Sequence, residues 1–130
     1  MTGKNDILEL QLRTQAFPVD ANPDGDIFGG WVLSQMDIAS GIMARKRCQG
    51  RTVTVAVDSM TFIEPIYVGD VICCYGEIIK EGRTSVSIKI EVHAVRQNGS
   101  FKVKVTEGVF IYVAIDKNKK PRSINSSFDN

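Results

Sequence analysis

Histidine occurs once in this sequence, as His93, and no Cys-x-x-Cys pair is present, so the usual ligand sets for zinc are missing. No Gly-x-Ser-x-Gly segment supplies a serine nucleophile elbow. Neither a Walker loop nor a strand-linked Gly-x-Gly-x-x-Gly occurs, which argues against nucleotide hydrolysis and dinucleotide redox chemistry. Cysteine is limited to three residues, and the adjacent Cys73 and Cys74 would point to opposite faces of a strand. Reduced structural thiols in the cytoplasm are the simpler reading.

An excess of one charge is missing too: 16 Lys and Arg stand against 15 Asp and Glu, a formal net charge of +1. No global field and no basic reading element draw the chain to nucleic acid or to an anionic membrane. The start, Met1 to Ile7, is polar and lacks the apolar run of a secretory signal. The least charged stretch, Ile27 to Ala44, has about the length of a membrane span. It holds Asp37, Gln35, three glycines and two serines, so it reads as a buried helix in a soluble protein.

What is present suits one domain: 130 residues, of which 43% are hydrophobic, can bury a core without disulfide staples. Residues 7 to 17 alternate loosely as a first strand. Pro18 to Asp26 is a loop rich in Asp, Asn, Pro and Gly. From Gly30 to about Cys48 no proline interrupts, and apolar residues cover nearly every side, which predicts a helix buried all round. Arg45, Lys46 and Arg47 gather at its end, where cations suit the helix dipole, and Gly50 follows. The period then changes to two. Strands are expected around Val53 to Val57, over 71–80, over 85–94, and from the Asn98-Gly99 type I′ turn signal to about Ile115. Short connections between these four strands predict antiparallel neighbours, and the tail from Asp116 reads as polar, with little order beyond Ile124. One long helix wrapped by a curved antiparallel sheet of about five strands, an α+β fold, buries such a helix naturally.

Asp37 is the one ionisable residue between Phe28 and Ala44. Ser34, Leu33, Ser40 and Gly41 are its neighbours one turn away, so no basic partner lies along its own helix. A carboxylate in that position either makes a polar contact with another strand or with Ser34 or Ser40, or forms the wall of a reaction site. Asp20 to Gly25 matches the first half of a calcium loop, but the closing glutamate position is Trp31 and no helix enters the loop, so calcium is rejected. Gly29-Gly30, directly before the helix, lets a ligand approach free N–H groups of the first turn, although a pair of glycines alone is equally consistent with a plain turn. His93 falls on the polar face of its strand and reads as a solvated surface residue.

Asn22-x-x-Gly25-Asp26-Ile27-Phe28-Gly29-Gly30-Trp31 with Ser34-Gln35-Met36-Asp37 resembles the YciA-like acyl-CoA thioesterases of the hotdog superfamily. The likeness continues through Val53-Thr54-Val55, Met60-Thr61-Phe62, Pro65, Val68-Gly69-Asp70, Thr84-Ser85-Val86-Ser87, Tyr112-Val113-Ala114 and Lys120-Pro121-Arg122, nearly the whole chain. The resemblance implies a hotdog fold and hydrolysis of acyl-CoA to free CoA and a carboxylic acid, without metal or bound cofactor. By position, Asp37 is then the catalytic carboxylate, as general base or nucleophile. Asn22 orients water or substrate, and the Gly30 N–H stabilises the developing oxyanion. Phe28, Gly29, Met60 and Phe62 are expected along the substrate, and Met36 near the acyl end.

Asn22 precedes the helix while Asp37 sits roughly 10 Å along its axis, so one chain does not readily bring both to one atom. The resemblance accordingly implies a homodimer contributing one residue from each chain, with dimers assembled into a trimer of dimers. Arg83-Thr84-Ser85 and the basic tail Lys117 to Arg122 are candidates for the CoA phosphates, each equally readable as a solvated segment. Two rival readings are a hotdog dehydratase, which needs a histidine near the helix, and a non-catalytic acyl-CoA sensor, which has no use for the acid.

Overall fold

The computed structural model describes residues 8–126. Residue 7, the polar start and residues 127–130 lie outside them. The order is β1 (Glu9–Gln15), α1 (Gly29–Cys48), β2 (Thr52–Phe62), β3 (Val71–Glu81), β4 (Ser85–Arg96) and β5 (Phe101–Ala114), as the periodicities predict. All five strands form one sheet in the order β1-β3-β4-β5-β2, and every neighbouring pair is antiparallel. This is the strand–helix–four-strand hotdog arrangement. No described helix is long and apolar enough to cross a membrane.

The β4–β5 turn has the expected type I′ form: Asn98 lies at φ 58, ψ 31, Gly99 at φ 96, and the Ser100 N–H bonds the Gln97 carbonyl at 3.2 Å. The link from β2 to β3 departs from expectation. It is not a hairpin: residues 63–70 carry the chain from one edge of the sheet to the other side of β4, and β2 pairs with β5 instead. Asp70 fixes the far end of that link. Its carboxylate accepts from the Tyr67 N–H at 2.9 Å and from Arg96 Nε at 3.1 and 3.0 Å, and Arg96 also donates to the Pro65 carbonyl.

The core lies between α1 and the inner face of the sheet, where Met36, Ala39 and Ala44 meet Ile88, Ile90 and Phe110. Gly76 lets the helix come close to β3, since a Cβ there would sit 2.5 Å from Met43 Sδ and 2.9 Å from Ile90 Cδ1. The helix is not buried all round. Leu33, Ile38 and Ile42 are exposed, because one sheet covers only one side of a cylinder. The edge strand β2 exposes Val53, Val55 and Val57 in the same way.

The polar tail is ordered as far as Ile124, and the expectation of little order beyond it falls mostly on residues 127–130, outside the described ones. Ile124 is buried, and Arg122, only 5% exposed, donates to the carbonyls of Ile115 (3.0 Å), Cys48 (2.9 Å) and Ser126 (3.1 Å). One of these is the last carbonyl of α1, a favourable place for a cation.

Candidate active site

Asp37 sits two turns into α1, on the border between its buried and exposed faces. Strand periodicity supplies its partners. Thr54 and Tyr112 are directly paired across β2 and β5, and both reach up towards the helix. Thr54 Oγ1 donates to Asp37 Oδ1 at 2.8 Å, and Tyr112 Oη donates to the same oxygen at 2.5 Å. Oδ2 has no hydrogen-bond partner among the described residues. No ion pair involving Asp37 occurs among them either.

Asp37 is therefore half-buried and anchored by neutral donors, not buried without a partner. The serines do not hold its carboxylate. Ser34 donates to the Trp31 carbonyl, and Ser40 to the Met36 carbonyl at 2.8 Å. Ser40 Oγ also lies 2.8 Å from Tyr112 Oη. Burial, then the hydrogen bond to Asp37, pushes the Tyr112 hydroxyl up to about 12, so it stays protonated and able to donate.

At the start of α1, the N–H groups of Gly29 and Gly30 find no acceptor among the described residues, whereas those of Trp31 and Val32 bond the Phe28 carbonyl. A Cβ on Gly30 would meet open space, and one on Gly29 would lie 3.6 Å from the Phe62 ring. An open groove of about 390 Å³ runs beside this end of the helix, lined by Gly29, Val32, Phe62, Pro65, Ile66 and Val105 among others. Asn22 stands in the preceding loop. Its Oδ1 accepts from the N–H groups of Asp24 (2.9 Å) and Asp26 (3.1 Å), which leaves its amide NH₂ as the outward group.

The structure thus brings Gly29 and Phe62 together and leaves Asp37 about 12 Å further along the helix at 1.5 Å per residue. Phe28 caps the helix start and is exposed. Met60 packs inward near Gly108, where an added Cβ would meet Met60 Sδ at 2.7 Å and the Met36 methyl at 3.5 Å. Arg83, Thr84 and Ser85 form the β3–β4 turn, with Thr84 accepting from the Ala114 N–H. Val86 pairs with Tyr112, so this turn lies about 7 Å along the sheet from the Asp37 anchor. Arg122 is spent on carbonyls and has no side-chain donor facing a phosphate.

Thr54 and Tyr112 are the participants that residue-type reasoning passed over. The signal available for Thr54 was a polar residue between Val53 and Val55, and for Tyr112 a phenol on the inward phase of β5. His93 is not simply solvated: its ring meets Tyr75 edge-on at 5.2 Å and its Nε2 lies 3.3 Å from Glu91. It stands on β4 with its phase turned away from α1. The three cysteines are free and buried, and burial pushes Cys74 up to about 12.

One helix held against a five-stranded antiparallel sheet defines the hotdog class. The family model of the thioesterase superfamily matches residues 24–100. The acyl-CoA thioester hydrolase YciA of Salmonella typhimurium is 52% identical over 120 residues, covering 89% of this chain and 90% of that one. Among solved structures, a hexameric thioesterase from Yersinia pestis superposes with a TM-score of 0.87 at 51% identity, covering 91% of this chain and 97% of that one. A hexameric broad-specificity acyl-coenzyme A thioesterase, solved as an aspartate-to-alanine mutant, gives a TM-score of 0.87 at 48% identity over 93% and 89% of the two chains. The chain belongs to the thioesterase superfamily.

Proposed function

We propose that the protein is an acyl-CoA thioester hydrolase that releases free CoA and a carboxylic acid. The observation that carries this reading is the aspartate of α1 held by one oxygen only. With Oδ1 fixed by Thr54 and Tyr112, Oδ2 is free to take a proton from water or to attack the thioester carbonyl itself. A single turnover in heavy-oxygen water with enzyme in excess separates the two. General-base attack puts the label into the acid product, whereas direct attack followed by hydrolysis at the Asp37 side of the anhydride puts an Asp37 oxygen into the product and the label on Asp37. The N–H of Gly30, which has no acceptor among the described residues and is aided by the helix dipole, is suited to the oxyanion that develops as the carbonyl rehybridises. The chemistry asks for no metal and no bound cofactor, CoA being part of substrate and product.

The groove beside Gly29 and Phe62 suits an apolar chain, and the exposed guanidinium of Arg83 suits a CoA phosphate. The acceptor side of Asn22 is occupied by its own loop, so it serves the reaction as a donor to water or to the substrate carbonyl. Because the Gly30 end and Asp37 are about 10 Å apart on one helix, a complete site combines Asn22 and Gly30 of one chain with Asp37 of another. The exposed Leu33, Ile38 and Ile42 and the open edge of β2 are the surface such a second copy would cover. We take the assembly to be a trimer of such dimers, in line with the hexameric relatives, and its location to be the cytoplasm.

The test is CoA release from a panel of acyl-CoA chain lengths by the wild type and by Asp37→Ala. Hydrolysis by the wild type and at least a hundredfold loss in a folded variant support the reading. Binding of acyl-CoA without release of CoA would instead make the protein a sensor.

A further inference from the structure

Tyr112 is 3% exposed, yet its hydroxyl touches three oxygens: Asp37 Oδ1 at 2.5 Å, the Asp37 carbonyl at 2.6 Å and Ser40 Oγ at 2.8 Å. A phenol brings one proton to such a cluster. Two of the three neighbours belong to the same residue, one on its side chain and one on its main chain, so the proton has two alternative acceptors that differ only by rotation about the C–O bond. Ser40 does not compete for the carboxylate. Its own proton is shared between the Met36 carbonyl one turn back and Tyr112 Oη, both at 2.8 Å, and in donating to the phenol oxygen it leaves the phenol's proton for Asp37.

The choice between the two acceptors depends on the charge of Asp37. While the carboxylate is ionised, Oδ1 is the stronger acceptor, because hydrogen bonds to a charged group are roughly twice as strong as neutral ones. Once Oδ2 has gained a proton, Oδ1 becomes an ordinary carbonyl oxygen and the peptide carbonyl competes on equal terms. No heavy atom moves between the two arrangements. Thr54 Oγ1 stays on Oδ1 throughout, which keeps the plane of the carboxyl group fixed.

Resting on the hydrolase reading above, we propose that Tyr112 is a positioning residue: with Ser40 behind it, it pins Oδ1 of Asp37, leaves Oδ2 as the reacting oxygen, and stays hydrogen-bonded whether or not Asp37 carries the proton. The competing explanation is that the phenol merely satisfies itself in the core. The two differ in what its removal changes. A core hydroxyl affects stability, whereas a positioning hydroxyl affects turnover without affecting substrate binding.

The experiment measures kcat, KM and melting temperature of the assembled full-length protein with the acyl-CoA that the wild type hydrolyses best. Tyr112→Phe removes one oxygen and keeps the ring. The expected result is a fall in kcat of roughly ten- to hundredfold with KM within about twofold of wild type. Ser40→Ala keeps the phenol, removes its support, and is expected to lower kcat about threefold at unchanged KM. It decides the matter alone if Tyr112→Phe does not fold. Wild-type kcat in the folded variants overturns the positioning role, as does a loss confined to stability. A wild type that releases no CoA sinks the hydrolase reading instead, and an Asp37→Ala variant that keeps its activity sinks the role of Asp37 and with it that of Tyr112, so the failures are distinct.

Discussion

Asp37 and Asp70 are both aspartates held by several donors, and they are held in opposite ways. Asp70 is 4% exposed, both of its oxygens face the Arg96 guanidinium, and Oδ2 also takes the Tyr67 N–H. Arg96 in turn lies over the Tyr67 ring at 4.8 Å. Every lone pair that matters there is used, and the negative charge is matched by a positive one. Asp37 is half-exposed and, among the described residues, meets only neutral hydroxyls and has one oxygen without a partner. A carboxylate that closes a turn uses both its oxygens, and one that does chemistry keeps one in reserve. On the proposed reading of Asp37, that contrast separates the structural carboxylate from the reacting one better than burial does.

Breaking Asp70 should have the largest effect on stability. Asp70→Ala strands the Arg96 guanidinium and frees the 63–70 link, and should cost about 3–5 kcal/mol in chemical denaturation. Activity per folded molecule should stay close to wild type. A collapse of kcat in the folded protein would mean that Asp70 is not purely structural.

Ionisation of the buried hydroxyl and thiol comes next. Tyr112 and Cys74 are both raised to about 12, above their unfolded values of roughly 10 and 8.5. Groups raised on folding stabilise fully below the unfolded value, and that contribution drains away as pH climbs towards 12. Stability should therefore fall steadily above about pH 9, by on the order of 6 kcal/mol by pH 12. Cys74→Ala should remove the fall below about pH 10 and lessen it above, whereas Tyr112→Phe should lessen only the part above about pH 10. Flat stability over that range in the wild type would contradict both placements.

Thr54→Val sharpens the contrast from the Asp37 side. It keeps the shape of the side chain and deletes one donor to Oδ1, so kcat should drop roughly tenfold, with stability changed by about 1 kcal/mol or less. The smallest effect is expected at the turn: Arg83→Ala should raise KM for acyl-CoA about threefold and leave kcat alone, as loss of one exposed phosphate contact does. An unchanged KM would remove Arg83 from the substrate.

Much of the fold was legible because local chemistry decided it. The helix followed from an uninterrupted apolar stretch between Gly30 and the basic cluster Arg45 to Arg47, and the β4–β5 hairpin followed from Asn98-Gly99. The crossing of β2 to the far edge was not legible, since residues 63–70 carry the same turn chemistry whether they reverse the chain or span the sheet. Arg122 was misjudged because a basic residue in a polar tail ordinarily faces water. What makes it different is four carbonyls, those of Cys48, Ile115, Ser123 and Ser126, brought together by the folded chain.

At the candidate site, Asp37 stood out because a lone acid in an apolar helix is costly unless it has a use. Its partners did not, because Thr54 lies 17 residues away and Tyr112 75 residues away in sequence. Only the pairing of β2 with β5 brings them together, and that pairing depends on the crossing that the sequence left hidden. The exposed Leu33, Ile38 and Ile42 show the same limit: an apolar residue reads as core whether its cover comes from its own chain or from another copy.

The most direct measurement is CoA release by Asp37→Asn. Asparagine keeps an acceptor at Oδ1 for Thr54 and Tyr112 and replaces the free Oδ2 with an NH₂ that can neither take a proton nor attack. The account predicts a folded, assembled protein with a melting temperature within a few degrees of wild type that still binds acyl-CoA. Its kcat should fall by on the order of a hundredfold or more. Hydrolysis at the wild-type rate by that variant would contradict the account, because the one oxygen the fold leaves free would then have no part in the reaction.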